Sequence, residues 1–294
     1  MEPTWEIEEK MYNNTEKFKG DFFDRFSLRH NKAPLKLTDS IEKNYLFPTF
    51  YGDVTCAVGI FLCDYEKAKK VMLHPKIEPV KMPKGRALVI FSCYEYQSVY
   101  NIAPYNEVAM TIPVMFNPGL NIPVLPIVMP QLFNNFGYYV FSMPVTSKEN
   151  QLRGTKIWGL PKVTERIDID VKDNHSHTRA YDEKGEIYFE LSVPTDGKKT
   201  HFDVSSPLYT KKNGHHLQSY TNFQGDFFVN KNMSLLFDGS PDRSFEGSPL
   251  KLGNSPRANL LKELDIIPTP FQFRYCYNMS SCFDLPSEGF KPSI

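Results

Sequence analysis

The chain has 294 residues, and its 34 Lys+Arg offset 34 Asp+Glu for a formal net charge of +0. That balance gives no basic face for nucleic acid or an anionic membrane, so neither is expected as a partner. Hydrophobic residues reach 41%, enough for a large core, while 23 Phe, 16 Tyr and 23 Pro favour short strands joined by turns over long helices.

Residues 1–44 are polar and charged, with helical character over 5–18. They read as an N-terminal arm that packs on the body or on a neighbouring subunit. Residues 45–63 read as strand, with Phe50, Val54, Cys56, Val58, Ile60 and Leu62 in frequent alternation. Residues 64–73 predict a helix capped by Asp64 and ended by Pro75. Strands follow at 86–100, at 108–116 after a loop with Pro104, and at 136–145. Glu107 enters the second of these apolar runs and is either edge-exposed or buried for a purpose. Residues 149–155 suit a short helix or turn. Next comes a β-meander: strand 163–171, turn 173–177, strand 178–181, turn 182–185, strand 186–193. Residues 194–220 read as loop-rich, and 222–238 carry further strand signals. Residues 255–264 predict a helix with Pro256 near its start and Leu260, Leu261 and Leu264 on one face. An aromatic strand at 271–283 closes the chain. One domain is expected, residues 1–294, with 45–294 as its β-rich body.

The five cysteines, Cys56, Cys63, Cys93, Cys276 and Cys282, are odd in number and form no Cys-x-x-Cys pair. A disulfide framework or zinc site is therefore not expected, and a reducing cytoplasm fits. The acidic first residues lack the apolar core of a signal peptide. The greasiest stretch, 108–130, contains five prolines and cannot serve as the ~20-residue helix that spans a bilayer.

The stretch with most chemistry runs from Arg153 to Arg166, Arg-Gly-Thr-Lys-Ile-Trp-Gly-Leu-Pro-Lys-Val-Thr-Glu-Arg. It places Lys162 among Trp158, Leu160, Pro161 and Val163. Two readings stand. Lys162 is a surface lysine whose stem lies over Trp158, or it is buried. Burial disfavours the ammonium, lowers the pKa and frees a lone pair that attacks ketones to form a Schiff base.

This stretch resembles the lysine segment of the acetoacetate decarboxylase family: a Gly, a polar pair, an apolar or aromatic pair, a small residue, then Leu, Pro and Lys, here Gly154 to Lys162. Glu107 strengthens the resemblance, lying five residues before Ile112-Pro113-Val114 as a family glutamate does. A weaker match is Phe245-x-Gly247-x-Pro249-x-x-Leu252. The resemblance spans roughly residues 45–283. It implies an α+β fold, predominantly antiparallel β, closed or cone-like around an internal pocket with a few peripheral helices. It also implies Lys162 and Glu107 as catalytic residues, with Trp158, Leu160, Val163 and Met110 against the substrate. The implied function is a Schiff-base lyase decarboxylating a β-keto acid such as acetoacetate, without cofactor or metal, in a homo-oligomer. Aldolase-dehydratase chemistry on the same lysine and a non-catalytic binding protein are the alternatives.

Three positions depart from the family pattern. Val163 replaces a second lysine, which leaves burial as the route to a lowered pKa. Ser92 stands where a second acid is expected, with Glu95 the nearest acid. No arginine falls in 51–54, where one is expected to meet the substrate carboxylate. Arg153 and Lys156 read as surface charges or as rim groups steering an anion. His175-x-His177, His215-His216 and the lysine pairs 198–199 and 211–212 read as solvated.

Overall fold

The structure is a computed structural model and describes residues 1–72, 74–236 and 248–287. The first four long strands arise from apolar runs: β1 (Thr49–Asp64), β2 (Arg86–Val99), β3 (Tyr105–Phe116) and β4 (Phe136–Val145). Every residue of β3 is buried, and β1 is buried almost throughout. A strand reads as a continuous greasy run when both of its faces are covered. Short strands β5 (Lys162–Thr164), β6 (Ile167–Lys172), β7 (His175–Tyr181) and β8 (Ile187–Pro194) follow. Then come the long β9 (Lys198–Lys212) and β10 (His215–Lys231), the short β11 (Leu250–Leu252) and the final β12 (Pro270–Phe283).

Seven strands pair in the order β4-β9-β10-β12-β1-β2-β3, and β3 pairs back onto β4 to close a barrel. All of these pairings are antiparallel except β4 with β9. The two faces of each strand divide the core. Cys56, Val58 and Ile60 of β1 join the inner cluster, whereas Ala57, Phe61 and Cys63 join the outer one. The outer cluster lies between the barrel and a four-stranded antiparallel sheet, β6-β7-β8-β11. There the Phe91 and Phe189 rings meet at 5.1 Å. Each such buried ring contributes about 1.5–3 kcal/mol relative to exposure. Helices are few and peripheral: α1 (Tyr65–Val71), α2 (Lys148–Arg153) and α3 (Pro256–Lys262). Asp64 caps α1 by accepting from the Lys67 amide at 2.9 Å. Among the described residues no helix is long and apolar enough to cross a membrane.

Several local expectations need correction. Residues 5–18 hold only the 3-10 turn Thr15–Lys17. The arm is instead fixed by Phe18, Phe22 and Phe23 packing on Phe50 and Tyr100 of the body. The expected strand 163–171 is two strands, β5 and β6, in different sheets. The turn expected at 173–177 is confined to Asp173 and Asn174, both at positive φ, and the histidines beyond it belong to β7. The loop-rich region 194–220 is a long hairpin. Its turn is Asn213-Gly214 with φ of 49° and 82°, the residue pair a type I′ turn favours. Strand β10 ends at Lys231. Leu73, residues 237–238, Phe245 and Gly247 lie outside the described residues.

Candidate active site

The motif glycines shape the segment that delivers Lys162. Ser147 opens α2 by accepting from the Asn150 amide, and α2 runs into a π turn, Gly154–Trp158. Gly159 ends that turn in the left-handed region, φ 65° and ψ 23°. A Cβ there would sit 2.5 Å from the Lys211 carbonyl oxygen, so both conformation and space require glycine. Leu160 and Pro161 then lead into β5, where Lys162 pairs with Met143 of β4 in parallel. Gly154 lies against the lysine itself. A Cβ there would come within 2.4 Å of Lys162 Cδ and 2.8 Å of Cε.

Strand pairing brings Glu107 to the same place. Glu107 opposes Val145 on β4, while Thr164 opposes Val145 from the other side, two residues beyond Lys162. Lys162 Nζ donates to Glu107 Oε2 at 2.6 Å. The two residues are 7% and 4% exposed, which resolves the sequence alternatives for both in favour of burial.

Three influences set the lysine's titration. Burial pushes its pKa down, the Glu107 carboxylate pushes it up, the nearby Arg153 guanidinium pushes it down, and the net direction is downward. Arg153 was read as a surface or rim charge; it is 1% exposed. Its Nη2 donates to Thr49 Oγ1 at 2.9 Å, and its Cζ lies 4.4 Å over the Tyr45 ring. A cation from α2 thus acts on Lys162 in addition to burial, which is the larger influence. A buried pair between Lys43 and Glu149, joined by the Tyr45 hydroxyl, continues this charged layer. Lys156 is not a rim group either; its ammonium donates to the carbonyls of Lys36 and Leu37 in the arm.

Tyrosines surround Glu107. Tyr96 donates to Glu107 Oε1 at 3.4 Å, and its ring lies 4.9 Å from Tyr105 and 4.7 Å from Tyr51. Burial pushes all three phenols up, Tyr51 to about 12. They stay protonated near neutrality and act as neutral hydrogen-bonding groups.

Lys162 and Glu107 both line a barrel cavity of about 250 Å³. Leu160 and Ser92 line it too. Three expected substrate contacts lie elsewhere. Met110 is on the outer face of β3, in the core under the meander, because Glu107 and Ala109 take the inward positions. Val163 follows Lys162 on a strand whose neighbours face opposite ways, and it does not line the cavity. Trp158 stands behind the wall. Its indole stacks on Phe283 at 4.8 Å and donates to the Asp284 carbonyl, and Phe283 is what faces the cavity. Arg274 on β12 also lines it, unmarked by any motif. Among the described residues no group of three His, Cys, Asp or Glu side chains is placed to hold a metal.

This arrangement can hold a neutral amine and a proton acceptor against an apolar carbonyl compound. The family model described as Acetoacetate decarboxylase (ADC) matches residues 32–226, which include both Glu107 and Lys162. A search of curated proteins gives no match. Among solved structures, acetoacetate decarboxylase from Legionella pneumophila aligns with TM-score 0.54 at 12% identity, covering 82% of this chain and 86% of that one. A second acetoacetate decarboxylase structure gives 0.53 at 16%, covering 81% and 87%. The enduracididine biosynthesis enzyme MppR complexed with pyruvate gives 0.54 at 12%, covering 81% and 90%. At such identities the likeness concerns the fold.

Proposed function

The chain belongs to the acetoacetate decarboxylase family, and on that premise we propose that Lys162 is the nucleophile of a Schiff-base lyase decarboxylating a β-keto acid such as acetoacetate. The observation that carries this reading is the buried contact of 2.6 Å between Lys162 Nζ and Glu107 on the wall of a mostly apolar cavity.

The steps follow from those groups. Glu107 takes the ammonium proton, and the neutral amine adds to the substrate carbonyl. The same carboxyl returns a proton as the carbinolamine hydroxyl leaves as water, giving an iminium. The bond to the carboxylate breaks, its electron pair flows into the iminium, and carbon dioxide departs. Protonation of the resulting enamine at carbon and hydrolysis release the ketone and restore the amine. Water exclusion disfavours the ammonium and so frees the amine, against the pull of the Glu107 carboxylate, which favours the charged form. The whole chain, 1–294, forms the working unit in this reading, with the arm packed on the body.

The departures at Val163 and Ser92 favour one other reading, aldolase-dehydratase chemistry through the same iminium and enamine. Borohydride reduction with a keto acid should add the mass of the reduced adduct at Lys162. Carbon dioxide release from acetoacetate then supports the first reading, and a new carbon–carbon bond from pyruvate and an aldehyde the second. Absence of an adduct removes both.

A further inference from the structure

Strand β12 carries a charged group that the chemistry above does not use. Arg274 lines the cavity together with Gln272, two residues earlier on the same face. Its Cζ lies 5.0 Å over the Phe202 ring. Its Nη2 reaches the Gln272 side-chain oxygen only at 3.5 Å. Arg274 Nε and Gln272 Nε2 are both buried without an acceptor. Burial pushes the guanidinium below its usual range, while Tyr138 and Cys56 act in the other direction. Among the described residues no carboxylate pairs with it. A half-buried cation with orphaned buried donors carries a desolvation cost that an anion relieves.

The register sets this group apart from the reactive amine. Glu107 opposes Tyr94, which opposes Cys56. Arg274 belongs to the next inward layer, opposite Val58, which opposes Ser92, which opposes Ala109. Tyr138, close enough for its charge to act on Arg274, opposes Pro113. Pro113 is six residues along β3 from Glu107, or about 20 Å of strand. Arg274 thus stands one inward layer from Glu107, level with Ala109 and on the side toward Tyr138, away from the layer that holds Lys162's partner. An apolar cavity of ~150 Å³ takes up benzene, so about 250 Å³ holds more than a four-carbon acid. Much of the wall near the arginine is apolar, including Phe202, Phe223 and Phe227.

We propose that Arg274 and Gln272 form a second subsite for an anionic oxygen head group, so that the substrate is an elongated carbonyl compound with its anionic end at Arg274 and its ketone at Lys162. This rests on the Schiff-base reading for the ketone end, while the anion end stands on its own geometry. A carboxylate and a phosphate share the chemistry a guanidinium and an amide recognise.

The test uses the full chain and borohydride trapping at Lys162. Methyl ketones of increasing chain length are compared with the matching keto acids and keto phosphates that carry the anion at the far end. The intact protein should label at lower concentrations of the longer anionic compounds, by a factor on the order of tenfold to hundredfold over the neutral ketones. The better of the two series names the head group. Arg274→Gln should erase that ratio and Arg274→Lys should keep part of it, with near-UV circular dichroism confirming that both variants fold. Equal labelling by anionic and neutral ketones in the intact protein overturns the subsite, as does an unchanged ratio in Arg274→Gln. Should no carbonyl compound label Lys162, the Schiff-base reading fails separately. Calorimetry with saturated fatty carboxylates and alkyl phosphates then decides: binding lost in Arg274→Gln sustains the subsite, and no binding overturns it.

Discussion

Replacing Gly154 by alanine should displace the Lys162 amine while leaving the fold in place. The added Cβ would stand 2.4 Å from Lys162 Cδ, 2.8 Å from Cε and 3.1 Å from Cγ. Carbon atoms settle at ~3.5–4.0 Å, so the stem must shift by roughly 1 Å. Its far end is held by Glu107 at 2.6 Å, and the stem cannot move by that much without disturbing this contact. A misplacement of ~1 Å at a reacting group costs on the order of a hundredfold in rate. The backbone itself accepts alanine, since Gly154 has φ −58° and ψ −46°. Helical propensity even favours the change by about 1 kcal/mol. The assay is the rate of borohydride-trapped adduct formation at fixed keto acid, paired with a thermal melt. The expected result is about a hundredfold loss of labelling with Tm nearly unchanged. Labelling at the original rate refutes the claim that the close approach of Gly154 positions the amine.

Glu107→Gln removes the group that raises the Lys162 pKa. The amine should stay reactive to a lower pH in the labelling profile, while turnover falls about 10²–10⁴-fold for want of proton transfer. Turnover at the original rate would remove Glu107 from the mechanism. Because the folded-state pKa of Lys162 is lowered, the unfolded chain binds more protons there below the ordinary lysine range. Stability contributed at this position therefore rises with pH towards ~10.4. Lys162→Met should lose that part of the slope in urea unfolding measured from neutral to alkaline pH; identical slopes would contradict the lowered pKa. Gly159→Ala forces a left-handed residue against the Lys211 carbonyl and should cost at least ~1–2 kcal/mol of stability. A melt equal to that of the parent would show that the turn tolerates a side chain.

Strands β1 to β4 and β12 were legible because they are rich in apolar and aromatic residues and mostly buried. Lys162 and Glu107 drew notice as charges among apolar residues, but the residues alone left exposure open, and the family resemblance is what singled them out. Closure of the barrel was implied by the family resemblance and not by any local pattern, since the β12–β1 and β4–β9 pairings join segments far apart in the chain. Strand β9 and the first part of β10 went unread because much of their surface is half-buried or exposed and their lysine and histidine pairs suggest loops. The Asn213-Gly214 pair was the signal that would have placed the hairpin. Arg153 looked like a surface charge because it sits among polar residues of α2. Its burial comes from tertiary packing against Tyr45 and Trp158. Met110 was misplaced by one residue of strand phase, which turns a side chain to the opposite face. Arg274 did leave a trace, as a single cation inside Phe271-Gln272-Phe273-Arg274-Tyr275.

All of the chemistry depends on one amine being uncharged close to neutrality, and that property is directly measurable. With lysine labelled at its ε carbon, the NMR titration of Lys162, assigned by its loss in Lys162→Met, should give a pKa well below the ~10.4 of a free lysine. A midpoint at the ordinary lysine value would contradict the account.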